Sequence, residues 1–210
     1  MNSTGSIHEF YNRDADRDPF GQEREPTFRR RVEAALSVLG TTQKRVLDFG
    51  CCVGAASRMF VDAGHRVVGV DISEAAIKRA RGLIPAAAFE IIISESRLPF
   101  CDGSFDACFA SEVAEHLFDV RGWMREIHRV LAEDGLFLLT TPYHGWLKNV
   151  LIATLCFDKH YSPDGEHIRF FSMTSLRACL DEEGFRVEKI NGIGRIHWLW
   201  KSMFVSARRK

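Results

Sequence analysis

The chain has 210 residues, which suits a single domain with a full core. Hydrophobic residues make up 46% and charged residues 27%, as in ordinary globular proteins, and Lys+Arg balance Asp+Glu at 28 each. That balance gives no reason to expect a nucleic-acid partner, and no run reaches the roughly 18–20 apolar residues a membrane span requires.

Residues 1–25 are polar, lack an apolar signal-peptide centre and read as an N-terminal arm carrying His8, Phe10 and Tyr11. From Pro26 to Leu39 the apolar residues Phe28, Val32, Ala35, Leu36 and Leu39 recur at helical spacing behind a first-turn proline. Arg29, Arg30 and Arg31 fall on different sides of that helix and are expected mostly in solvent. Arg45 to Phe49 is a short apolar strand containing Asp48. It runs through Gly50-Cys51-Cys52-Val53-Gly54 into a helix that stops at Gly64. Arg66 to Val70 is a second strand ending in Asp71, about 17 residues beyond Gly54, where a carboxylate suits a ribose diol.

Ser73 caps the next helix, which Pro85 terminates. Ala88 to Ile93 reads as the third strand and Phe105 to Ala110 as the fourth, after an Asp102-Gly103 turn. Val120 to Leu131 is an amphipathic helix and Gly135 to Thr141 the fifth strand. Such alternation predicts a parallel, doubly wound α/β sheet. Tyr143 to Arg169 reads as an irregular, aromatic, histidine-containing stretch. A helix at 174–183, a strand at 185–190 and an antiparallel strand at 201–207 close the chain. The six cysteines, two of them adjacent and none in Cys-x-x-Cys, read as reduced thiols of a cytoplasmic protein.

Asp48-x-Gly50-Cys51-x-x-Gly54, Val68-Gly69-Val70-Asp71, Leu98-Pro99-Phe100-x-Asp102-Gly103-Ser104-Phe105-Asp106 and Leu131-Ala132-Glu133-Asp134-Gly135 occur in that order. Together they resemble the ordered motifs of the class I S-adenosylmethionine-dependent methyltransferases, over roughly residues 45–190. The resemblance implies a Rossmann-like, seven-stranded sheet with helices on both faces and a last antiparallel strand. It implies one domain over 26–210, with a variable substrate or lid segment at 143–171. It also implies an S-adenosylmethionine site built from Asp48, Gly50, Cys51, Gly54, Asp71, Ile72, Ser94, Glu95 and Ser111. Two positions depart from the family pattern. Cys52 replaces a central glycine, at a cost of about 1 kcal/mol or more if that residue needs a positive φ. Ser94 replaces the usual adenine-contacting Asp. A dinucleotide fingerprint, Gly-x-Gly-x-x-Gly, fits poorly, because Cys52 and Ala55 stand at its second and third glycines.

Ser111-Glu112-Val113-Ala114-Glu115-His116 follows the fourth strand directly. If it opens a helix, Glu112, Glu115 and His116 share one face. They would then hold a divalent cation, leave His116 as a general base assisted by Glu115, or simply orient the fold. A similar Glu-x-x-Glu-His in quinone-precursor O-methyltransferases and in small-RNA 2′-O-methyltransferases implies Mg or Mn there, with His167 as a fourth ligand.

Trp146 to Phe157 is apolar on nearly every side but only 12 residues long. It reads as core, as a substrate lid, as a dimer contact or as an interfacial helix making peripheral membrane contact. The expected activity is methyl transfer to oxygen on a small hydrophobic acceptor. An RNA 2′-hydroxyl is the enzymatic alternative, and a non-catalytic cofactor-binding scaffold is the alternative of another class.

Overall fold

A computed structural model describes residues 25–155, 157–160, 167–195 and 199–210. Residues 1–24 of the N-terminal arm, residues 161–166 of the variable segment, and residues 156 and 196–198 lie outside the described residues.

The first described element is α1 (Pro26–Leu39). Pro26 opens it without needing an N–H, and the Glu25 carboxylate accepts the Phe28 amide at 2.9 Å. It is followed by β1 (Arg45–Phe49), α2 (Ala55–Asp62), β2 (Arg66–Asp71), α3 (Glu74–Leu83) and β3 (Ala88–Ile91). Next come β4 (Phe105–Ser111), a single 3-10 turn (Ala114–His116), α4 (Val120–Val130) and β5 (Leu131–Pro142). The remainder is α5 (Trp146–Leu155), α6 (Phe157–His160), α7 (Met173–Glu182), β6 (Phe185–Ile193) and β7 (Ser202–Arg209).

The strands form one seven-stranded sheet in the order β3-β2-β1-β4-β5-β7-β6. The strands from β3 through β5 run parallel, and β7 is antiparallel to both β5 and β6. Side chains alternate across the sheet, as the pleat demands. Leu47, Cys108, Ala110, Phe137, Leu139 and Val205 face Trp123, Met124 and Ile127 of α4 and Leu176 and Leu180 of α7. Val46, Ala107, Phe109, Leu138 and Phe204 face Phe28, Val32 and Ala35 of α1 and Phe60 of α2. Strand order reverses between β1 and β4, which opens a crevice at the carboxyl ends of those strands.

Two local expectations need correcting. Glu112 to His116 is not a helix: Glu112 sits at φ 56°, and only Ala114–His116 completes a 3-10 turn. The variable segment is less irregular than its composition indicates, because α5 and α6 are helical. Among the described residues, no helix is long and apolar enough to cross a membrane.

Candidate active site

The loop from Gly50 to Gly54 turns sharply out of β1. The Gly50 and Cys51 amides both donate to the Val70 carbonyl, at 2.8 and 3.0 Å, and bind the turn to β2. Gly50 has φ 72° and Gly54 φ 87°. A Cβ on Gly50 would lie 2.6 Å from the Val113 side chain, and one on Gly54 would lie 2.6 Å from Ile84 Cδ1. Both positions therefore demand glycine for backbone angle and for space.

Cys52 stands between them at φ 49°, so the strain anticipated for a missing glycine is present, about 1–2 kcal/mol. Its amide offsets part of that by donating to Asp71 Oδ2 at 2.8 Å, while the Ser73 amide donates to Oδ1 at 2.9 Å. Two backbone amides thus orient Asp71, and Ile72 adds a further backbone hydrogen bond.

Not every residue of the expected cofactor set faces the crevice in the same way. Asp48 is only 2% exposed and accepts the Ser57 hydroxyl at 2.6 Å. Burial pushes its carboxyl up to about 7, and Asp71 adds to the shift. It fastens the loop to α2 from beneath. Cys51 is buried against Phe89 and Ile84, and Ile72 packs on the main core. Ser94 and Glu95 are half-buried just beyond β3, where Ser94 Oγ lies 2.9 Å from Ser96 Oγ. Ser111 Oγ is 3.0 Å from Thr140 Oγ1 at the ends of β4 and β5.

The acidic–histidine cluster divides. Glu115 is fully buried; its Oε2 accepts the Thr141 hydroxyl at 3.0 Å and its Oε1 has no hydrogen-bond partner. His116 Nε2 lies 4.0 Å from that Oε1, and the His116 and His167 rings meet edge-on with centroids 5.0 Å apart. Ligand atoms of Glu115, His116 and His167 all fall within 4.8 Å of one another. Burial, then Glu112, pushes the Glu115 carboxyl up to about 8. His167 is delivered by its neighbours: the Ile168 and Arg169 amides donate to the Glu115 carbonyl at 3.0 and 3.1 Å, and Arg169 Nε donates to the Leu117 carbonyl at 2.6 Å.

Glu112 was expected in the same ligand set but is turned away by its left-handed backbone. It accepts from Thr140 at 3.0 Å and Ser202 at 3.2 Å and pairs with Arg31, Nη2 to Oε2 3.5 Å. Arg29 and Arg30 are exposed, as expected for most of the run, whereas Arg31 is only 7% exposed. A signal was present, since Arg31 falls in the same helical stripe as Phe28, Val32 and Ala35.

Lys148 was also missed. It is the lone charge in the apolar run of α5, and its buried ammonium donates to the carbonyls of Tyr143 at 2.6 Å and Trp200 at 3.3 Å. His144 is buried beside it, Nδ1 3.2 Å from Asn149 Oδ1, its ring 4.8 Å from Phe170 and 5.6 Å from His160. Burial holds the His144 imidazole down to about 4.

Residues 47–139 match a methyltransferase domain family. Over that stretch the chain is similar to S-adenosylmethionine-dependent methyltransferases. It is 30% identical, over 70% of its own length, to a protein of Mycolicibacterium smegmatis named as a probable S-adenosylmethionine-dependent methyltransferase, and it spans about half (54%) of that relative's length. It is 28% identical to a malonyl-[acyl-carrier protein] O-methyltransferase of Hamiltonella defensa, over 77% of this chain and 67% of that one. Its fold matches the magnesium protoporphyrin IX methyltransferase of Synechocystis PCC 6803, solved with bound SAH, with TM-score 0.77 at 17% identity over 99% and 100% of the two chains.

Proposed function

We propose that this protein transfers a methyl group from S-adenosylmethionine to a hydroxyl oxygen of a small, hydrophobic acceptor. The observation that carries the reading is the convergence of Glu115, His116 and His167 at the end of β4, one strand from the Gly50–Gly54 loop. The cofactor, when bound, supplies a methyl already activated as a sulfonium, so alignment and removal of the acceptor proton are what the protein adds. Gly50 and Gly54 let the turn pack closely on Val113, Ile84 and Phe89 at the crevice, and Asp71, oriented by backbone amides beside that turn, is the acceptor for the ribose hydroxyls. His116 is the base for the acceptor proton, with Glu115 behind it.

The orphaned Oε1 of Glu115, with two imidazoles beside it, also fits a divalent cation such as Mg²⁺ or Mn²⁺. When bound there, such an ion would acidify the acceptor hydroxyl. An apolar acceptor is supported by exposed side chains on α5 and on the irregular stretch after His167, among them Trp146 at 79% exposure, Val150, Leu151 and Phe170. The same surface suits resting contact with a membrane that holds a lipid-like acceptor. The oxygen specificity named for the Hamiltonella defensa relative agrees with the reading.

The test is titration calorimetry with S-adenosylmethionine, followed by methyl transfer to a panel of hydrophobic phenols and alcohols with and without chelator. Binding with chelator-sensitive turnover, restored by Mg²⁺ or Mn²⁺, is expected. Absence of binding at millimolar cofactor overturns the methyltransferase reading, and binding without turnover supports the scaffold. Turnover indifferent to chelator removes the cation and leaves His116 as the base.

A further inference from the structure

Lys148 carries a positive charge into the protein, and among the described residues no carboxylate comes within ion-pair distance of it, although the Glu112 charge is felt there. It is 9% exposed, and its two recorded partners, the Tyr143 and Trp200 carbonyls, are neutral. Among the described residues it makes no ion pair. The acid whose charge reaches it, Glu112, is engaged elsewhere: it pairs with Arg31 and accepts from Thr140 and Ser202. Burial, then Arg195, holds the Lys148 ammonium down to about 8, and Glu112 opposes that shift. Burial is also the main cause holding His144, His160 and His167 low, and the Lys148 charge adds to it. A buried ammonium without a counter-ion is costly, and a ligand that brings the missing negative charge recovers that cost.

We propose that the acceptor is an amphiphile whose anionic group, a carboxylate or a phosphate, seats against Lys148 while its apolar part lies along α5. This inference deepens the methyl-transfer reading and rests on it. The position is suitable on both counts. The Lys148 side chain is fixed at the base of α5 by carbonyls from the ends of β5 and the β6–β7 connection, and its charge is felt at His144, His160 and His167. The same helix exposes Trp146, Leu147, Val150 and Leu151 outward. A neutral alcohol of equal length would gain the apolar contact and leave the ammonium unpaired.

The experiment compares octanoate, octyl phosphate and 1-octanol as ligands of the S-adenosylhomocysteine-loaded protein, by calorimetry, in wild type, Lys148→Met and Lys148→Arg. We expect at least one anion to bind about tenfold or more tightly than octanol. The tighter anion identifies the group. The preference is expected to vanish in Lys148→Met and to survive in Lys148→Arg. Equal binding of all three ligands by the wild type overturns the proposal, as does an anion preference that persists in Lys148→Met. The wild-type comparison decides even if Lys148→Met does not fold. Cofactor binding with turnover of neutral acceptors only would defeat this inference and leave the methyltransferase reading intact, whereas loss of cofactor binding would defeat both.

Discussion

Arg31, in the helix that precedes the sheet, pairs with Glu112 at the far end of β4, its Nη2 3.5 Å from Oε2. The pair ties α1 to the crevice and keeps Glu112 apart from the Glu115–His116–His167 group. Arg31 is buried and Glu112 is partly open to solvent, so its strength lies between that of exposed and fully buried pairs. Arg31→Ala is expected to lower stability by roughly 1–3 kcal/mol, because Glu112 is left without its cation. Chemical denaturation measures it. An unchanged midpoint would show that the pair contributes nothing net.

Cys52 allows a sharper test of backbone strain. Cys52→Val places a β-branched side chain at φ 49° and is expected to cost roughly 1–3 kcal/mol. Cys52→Gly relieves the angle but adds freedom to the unfolded chain, so its net gain is about 1 kcal/mol or less. Thermal melts of the two variants should therefore move in opposite directions or, for glycine, barely move. A stabilised valine variant would contradict the assigned conformation.

Asp71 is held by the amides of Cys52 and Ser73. Asp71→Ala removes the diol acceptor and leaves two amides unsatisfied. Cofactor affinity is expected to fall about 10- to 100-fold, equivalent to losing one or two hydrogen bonds to a charged group. Calorimetry with S-adenosylhomocysteine reads this directly, and affinity within twofold of wild type would remove Asp71 from the site.

Asp48 predicts an unusual pH dependence. Its folded-state value, raised from 3.8 to about 7 chiefly by burial, lies above the unfolded one. Below pH 4 both states are protonated and the group is neutral in effect. As pH rises toward 7 the unfolded chain ionises first, so stability falls through that window and stays lower above it. Asp48→Asn should flatten this decline, with a gain at pH 8 of at most about 4 kcal/mol. Urea titrations at pH 4, 6 and 8 supply the comparison, and parallel curves for wild type and variant would refute it.

His167→Ala separates chemistry from cofactor capture. Its ring lies against His116, the proposed base, so turnover should drop at least about tenfold while S-adenosylhomocysteine affinity is retained. Equal losses in both would indicate a structural role.

Much of the frame was readable because its determinants are local. The alternation of Val46, Leu47 and Phe49, the glycines of the first turn and Asp71 at the end of β2 report their own surroundings. The antiparallel β7 was readable as an apolar run. Long-range partners were not. Whether Glu112 joins Glu115 depends on one left-handed backbone angle and on Arg31, Thr140 and Ser202, which are 28 to 90 residues away from it or lie on another helix. Helical periodicity assumed continuity where the chain makes only a 3-10 turn. Lys148 hid inside an apolar run whose pattern gave no hint of two carbonyls waiting for its ammonium.

Glu115 is gripped twice: its carboxyl by Thr141 of β5, and its carbonyl by the amides of Ile168 and Arg169. The sheet and the segment at 143–171 thus meet at one residue. A change that displaces the segment takes both amides with it and strands a buried carbonyl, so it cannot leave Glu115 untouched. Under the proposed mechanism acceptor choice and reactivity are then coupled traits, and variants selected for one should carry measurable changes in the other.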